Sequence, residues 1–366
     1  MPSLVTLAAT LGRSTVMTLV VAVTASVVAF ALNVIGVSQT VVFLVSAVAL
    51  ATLALLIGQG TDQLGHRFGP GATGILQSAL GNLPELFISI FALQAGLVIV
   101  VQTALIGSIL ANTLLVLGLA FLVGGLRHGT QQFHAPAVRT MATLLLLAVA
   151  ALAIPTLATA PGEPDAGHQV DLSVIVSIVL LVVFAASVPF SLGGGSGAHA
   201  ELAETDGPVW PLSLAIGVLV AGGVGAAVTS DLFVEALKPT MASLGLSEAF
   251  VGLVVIAIAG NAVENVVGIQ AAAANKTDLA TSLILNSSLQ VAIALTPALV
   301  LISLVVGGGA LTLVLTPLLL GAVVLAAVLA AVIVFDGEST WLEGLALLGL
   351  YVIIAASVWY GPPIQP

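Results

Sequence analysis

Gly81-Asn82-Leu83-Pro84-Glu85-Leu86 and Gly260-Asn261-Ala262-Val263-Glu264-Asn265 align at an offset of 179 residues, and that offset holds without a gap for about thirty residues. It pairs Ala92 with Ala271, Ala95 with Ala274, and Gly107-Ser108 with Asn286-Ser287. Upstream, Thr61-Asp62 resembles Ser230-Asp231 once a length difference of ten residues is allowed. The chain is an internal duplication. Its best-matched stretch holds polar residues, whereas packing alone would keep the apolar ones.

Working outward, the surroundings of both motifs are apolar. Of 366 residues, 60% are hydrophobic and 6% charged, against about 25% charged in soluble domains. Apolar runs near the 20 residues that cross a bilayer core recur along the chain, which makes it an all-α, polytopic transmembrane bundle. Eleven spans are expected: Met17 to Gly36, Thr40 to Leu64, Pro70 to Gly96, Val98 to Gly124, Ala137 to Ala158, Val170 to Ser191, Pro211 to Leu237, Glu248 to Ala274, Asp278 to Val305, Ala310 to Val334 and Thr340 to Tyr360. Breakers such as Gly69-Pro70-Gly71, Pro161 to Pro164, Gly193 to Gly197 and Gly307 to Gly309 separate them. The continuity of the runs excludes a β-barrel, whose strands alternate over about 10 residues. The first run has only Arg13 before it and no small-residue cleavage site, so it is read as a span, not a leader. With no cysteine, thiolate metal sites and disulfides are excluded. The net charge of −10 comes from scattered acids, not from an acidic block.

With the amino terminus cytoplasmic, Arg13, Arg67, Arg127, Arg139 and Lys276 all fall inside and only Lys238 outside, as the positive-inside bias requires. Residues 1–38 then form an extra N-terminal helix, 39–192 a first five-span repeat, 193–209 a cytoplasmic loop and 210–366 a second five-span repeat. Five spans per copy place the copies in the membrane with opposite orientation. Inverted repeats with midplane sites on interrupted helices are the architecture of secondary transporters.

Glu85 and Glu264 each lie about fifteen residues into a span. A carboxylate at that depth costs about 2.5–3.5 kcal/mol on insertion scales and marks a transport pathway. Around them the spans supply Asn82, Gln102, Ser108, Asn112, Asn261, Asn265, Asn286, Ser287 and Gln290 as cavity-lining oxygen ligands or donors. Asn82 and Asn261 rank first as metal ligands beside the two glutamates because they occur in both copies. No histidine lies in any span, so an all-oxygen set fits a hard cation such as Ca²⁺. Pro84 deprives the Leu80 carbonyl of its helical partner and Gly81 eases a break there; Gly260 permits the same in the second copy, exposing carbonyls as further ligands.

These motifs resemble the cation/proton exchangers of the Ca²⁺/cation antiporter superfamily. The first is similar to Gly-Asn-Ala-Thr-Glu-Leu, continuing through Val100-Val101-Gln102 to Gly107-Ser108-Ile109-Leu110-Ala111-Asn112; the second is similar to Gly-Asn-Ala-Ala-Glu-His, continuing to Asn275-Lys276-Thr277-Asp278 and Ser287-Ser288-Leu289-Gln290. The resemblance implies that Glu85 and Glu264 bind the metal and carry the protons, with Gln102 and Gln290 in the polar lining. Asn265 stands where the motif has histidine, and Leu83-Pro84 where it has Ala-Thr, the Pro-Glu pair being reminiscent of sodium/calcium exchangers. The family's acidic helix is represented only by Glu201, Glu204 and Asp206.

The expectation is a Ca²⁺/H⁺ antiporter that exports Ca²⁺ from the cytoplasm by alternating access. It is expected to be no enzyme, to need no cofactor, and to have Ca²⁺, protons and the bilayer as its partners, with no nucleic acid. The alternatives are a sodium-coupled exchanger of the same superfamily and a cation channel. An intramembrane hydrolase is disfavoured, since no His-Glu-x-x-His motif or span histidine supplies a base. The expected location is a prokaryotic cytoplasmic membrane, with a vacuolar membrane as the alternative.

Overall fold

The computed structural model describes residues 10–68, 80–192 and 209–359. The Gly69-Pro70-Gly71 turn, the first part of the third expected span and the acids Glu201, Glu204 and Asp206 lie outside the described residues. Twelve helices carry the description: α1 Arg13–Ile35, α2 Gln39–Phe68, α3 Leu83–Gln94, α4 Val98–His128, α5 Ala135–Ala158, α6 Gln169–Leu192, α7 Leu212–Leu244, α8 Glu248–Gly260, α9 Ala262–Ala273, α10 Thr277–Val306, α11 Pro317–Ile333 and α12 Trp341–Trp359. Among the described residues eight helices are long and apolar enough to cross a membrane, and nine spans result when the bent pair α8–α9 is taken as one. The remaining two of the eleven expected positions hold the shorter apolar helices α3 and α11.

The chain divides into two compact units that cut across the repeats. One comprises Met1–Phe91 and Ser191–Leu244, the other Ala92–Phe190 and Gly245–Pro366. In the first unit α2 and α7, the opening helices of the two repeats, pack along their length. Thr40 near the start of α2 bonds Ser243 near the end of α7 at 3.2 Å, and Phe43 stacks on Phe233 at 4.6 Å. Further along, a Cβ on Gly222 would lie 3.0 Å from Ile57, and one on Gly60 would lie 2.8 Å from Leu219. At the far end of α2 the Trp210 amide donates to Gln63 Oε1 at 2.7 Å and Arg67 donates to the Trp210 carbonyl at 2.8 Å. Ascending numbers on one helix meet descending numbers on the other, so the pair is antiparallel, as inversion of the repeat demands. Glycine brings the backbones close, which matters where lipid is as apolar as leucine and packing drives helix association. Helix α1 joins α2 through one stripe of small buried residues, Thr15, Ala22 and Ala29.

In the second unit α4 and α8 cross in backbone contact. A Cβ on Gly107 would stand 2.4 Å from the Leu253 carbonyl oxygen, and one on Gly252 would stand 2.0 Å from Thr103 Oγ1. Two short strands, β1 Gln131–Gln132 and β2 Glu338–Ser339, pair antiparallel and tie the α4–α5 link to the α11–α12 link.

The tenth expected span departs from its reading as a helix from Ala310 onward. Residues 307–316 are non-helical, and only from Pro317 does α11 begin, capped by the Thr316 side chain accepting from the Leu319 amide at 3.4 Å. Leu311, Leu313 and Leu315 are buried, alternating with the half-buried Thr312 and Val314. A non-helical backbone at membrane depth must find partners in protein, and side chains supply them. Ser303 accepts from the Leu311 amide at 2.8 Å, Ser173 from the Leu313 amide at 2.9 Å and Thr156 from the Leu315 amide at 2.9 Å. Thr156 also donates to the Leu313 carbonyl at 3.1 Å. Gln102 Nε2 donates to the carbonyls of Thr312 and Val314 at 2.9 and 2.7 Å.

Candidate ion-binding site

Both motifs build the same local structure. In the first, the half-buried Leu80 and Gly81 lead into a turn at Gly81-Asn82, and α3 starts at Leu83 with the Leu86 amide bonded to the Asn82 carbonyl at 2.9 Å. In the second, α8 ends at the buried Gly260, Asn261 leaves helical geometry at φ −86° and ψ 30°, and α9 continues with a 61° change of direction. There the Asn265 amide bonds the Asn261 carbonyl at 2.9 Å. Each glutamate is the third residue of its half-helix and each asparagine directly precedes that helix. Pro84 is accommodated because it falls in the first turn of α3, where amides have no intrahelical acceptor. The positive end of a helix dipole therefore meets each carboxylate. Asn82, Glu85, Asn261 and Glu264 are 7, 4, 0 and 8% exposed, which excludes bulk water as the solvent of either acid.

The second unit shows what holds Glu264. Asn112, fully buried on α4, donates through Nδ2 to Asn261 Oδ1 at 2.9 Å and to Ser287 Oγ at 3.0 Å. The Ser287 hydroxyl hydrogen-bonds the Glu264 carboxylate. The Oδ1 of Asn112 is buried and accepts no hydrogen bond among the described residues. Asn261 Nδ2 donates to the Ala257 carbonyl at 2.7 Å and Asn265 Nδ2 to the Ile258 carbonyl at 3.0 Å. The Ala257 carbonyl keeps its helical bond from the Asn261 backbone amide at 3.1 Å, so the break does not free it, and the Ile258 carbonyl is taken by the Asn265 side chain and not left open.

Ser108 and Gln290 are buried on α4 and α10, and Asn286 is half-buried. Gln102 spends its amide nitrogen on the non-helical segment, and the pocket that it borders is walled mainly by leucines. The sequence reading missed Thr156, Ser173 and Ser303. Their signal was present as lone hydroxyls in apolar helices, together with the two-residue alternation of Leu311-Thr312-Leu313-Val314-Leu315.

Backbone irregularity recurs with the repeat. A π-helical turn covers Ala111–Val116 in α4 and Val291–Leu295 in α10, places related by nearly the same offset as the motifs. A third covers Val251–Ile256 in α8. Such wide turns concentrate at functional sites, and the first contains Asn112.

Asp62 is half-buried on α2, while Asp231 and Glu235 are exposed one turn apart on α7. Neutralising Asp62 or Asp231 is expected to slow transport a few-fold while leaving ion preference unchanged, as measured by initial rates and competition among cations. Loss of Ca²⁺ binding in either variant would move the primary site away from the glutamates.

A membrane bundle of inverted, interrupted helices with a buried carboxylate at each break is the frame of a secondary cation transporter. The family described as sodium/calcium exchanger protein matches residues 38–193 and 214–360, and the chain belongs to it. It is 36% identical over 355 residues to the Ca²⁺/H⁺ antiporter of Synechocystis sp., covering 92% of this chain and 95% of that protein. It is also 36% identical over 323 residues to the Ca²⁺/H⁺ antiporter ChaA of Bacillus subtilis, covering 87% and 91%. The solved structure of native YfkE superposes with a TM-score of 0.80 at 32% identity, covering 93% of this chain and 99% of that one.

Proposed function

We propose that the chain exchanges Ca²⁺ for protons by alternating access, with Glu85 and Glu264 carrying two protons in one direction and the charge of one Ca²⁺ in the other. The observation that carries this reading is the repeated construction: a buried glutamate as third residue of a half-helix, preceded by asparagine, in both copies. The buried, unsatisfied Oδ1 of Asn112 adds the kind of oxygen that Ca²⁺ accepts. Asn82 supports Glu85 and Asn261 supports Glu264 in holding the cation, with Ser287 orienting Glu264.

Coupling follows from charge. Ionised carboxylates without a cation are poorly solvated in a closed protein interior. Ca²⁺ or two protons neutralise them, so loaded forms can occlude and the empty form resists. A proton gradient then drives Ca²⁺ out of the cytoplasm. The proposed location is a prokaryotic cytoplasmic membrane with the amino terminus inside, supported by the distribution of Arg and Lys.

Purified protein in proteoliposomes tests the reading. Since proton and metal use the same lone pairs, apparent Ca²⁺ affinity is expected to fall as pH is lowered, with a slope set by the protons displaced. Ca²⁺ flux should follow an imposed pH gradient and not an imposed Na⁺ gradient. Affinity independent of pH, or flux driven by Na⁺ alone, would establish the sodium-coupled alternative instead.

A further inference from the structure

We infer that Gln102 is a positioning residue that clamps the non-helical segment 307–316 and thereby fixes the register of α4, and that it is not an ion ligand. Its Nε2 is committed to two backbone carbonyls, Thr312 at 2.9 Å and Val314 at 2.7 Å. The cavity beside it is lined by Leu105, Ile106, Leu152, Leu311, Leu313 and Leu315 among others. Walls of that kind cannot replace the hydration of a cation. Ser303, Ser173 and Thr156 accept its amides, so the non-helical stretch is held by side chains from α4, α5, α6 and α10, with Gln102 gripping the Thr312 and Val314 carbonyls.

Gln102 and Asn112 share α4, ten residues or about 15 Å apart at 1.5 Å per residue. Anchoring the start of this helix against a braced wall holds its middle where Asn112 reaches Asn261 and Ser287. A clamp acts on how fast the site is formed and re-formed, and a ligand acts on how tightly it holds the ion. This inference rests on the reading of the chain as a Ca²⁺ exchanger only for its transport readout.

The two roles require opposite chemistry at position 102. A clamp needs a neutral N–H donor, so Gln102→His should keep it while Gln102→Met loses it. A ligand needs an oxygen, so Gln102→His should destroy it as fully as Gln102→Met. The experiment combines amide hydrogen exchange of residues 310–316 with Ca²⁺ uptake into proteoliposomes across a range of Ca²⁺ concentrations. In Gln102→Met the segment is expected to exchange about tenfold faster, with maximal uptake reduced about tenfold and half-saturating Ca²⁺ changed less than about twofold. Gln102→His should restore both protection and rate. Thr156→Val, which removes another brace, should raise exchange of the same residues and serves if Gln102→Met fails to fold. Unchanged exchange in Gln102→Met or Thr156→Val would overturn the clamp, as would a tenfold shift in half-saturation with protection intact, or loss of Ca²⁺ affinity in Gln102→His. Exchange is read without any ion gradient, so a failure of the antiport reading leaves it interpretable.

Discussion

Glu85→Gln and Glu264→Gln are each expected to abolish Ca²⁺ exchange while the protein still inserts and folds. Glutamine keeps the shape and a hydrogen-bonding oxygen but removes the titratable charge, so it imitates the protonated carrier. The loss should reach about a hundredfold or more, the scale of removing one partner from a buried charge pair. Equal losses in the two variants are anticipated because both acids occupy the same position in their half-helices. Ca²⁺ uptake driven by a pH gradient, with size-exclusion profiles as the folding control, measures this. Normal coupled flux in Glu85→Gln would sink the assignment.

The second large effect is expected at Asn112. Replacing it with leucine withdraws the donor from both Asn261 Oδ1 and Ser287 Oγ. Leaving a buried acceptor unsatisfied costs about 1–3 kcal/mol, and an open amide oxygen disappears with it. Exchange should fall by about tenfold to a hundredfold, with weaker Ca²⁺ binding. Asn112→Asp separates the two contributions. It restores oxygen while adding a negative charge, so Ca²⁺ should bind but the loaded form is no longer neutral and transport should remain slow. Calorimetric Ca²⁺ titration beside uptake rates distinguishes the variants; wild-type behaviour of Asn112→Leu would remove Asn112 from the site.

Much of this was legible because it is local. The two Gly-Asn-x-x-Glu stretches announce the duplication, and glycine beside each motif announces the break that the chain makes at Asn82 and Asn261. What escaped the sequence is non-local. The partners of Asn112 lie 149 and 175 residues away, and periodicity carries no information about such pairings. The use of Asn261 and Asn265 to satisfy carbonyls on α8 follows from the path of the break, which residue types do not encode. The segment before Pro317 reads as helix because its hydropathy is high; its alternation and the preceding Gly307-Gly308-Gly309 point to a non-helical chain. The compact units draw on both repeats, so reading the repeats alone as domains does not reveal how the chain is partitioned.

The braced segment also bears on how the chain is made. A stretch with no backbone partners of its own is costly to place in lipid, so it cannot settle there ahead of its supports. Gln102, Thr156, Ser173 and Ser303 all precede residue 307 in the sequence, and synthesis runs from the amino terminus. Every side chain that receives the segment has therefore left the ribosome before it does. Order of birth here matches order of assembly, and a circularly permuted chain that began near Gly307 would have to insert this segment with nothing yet present to hold it.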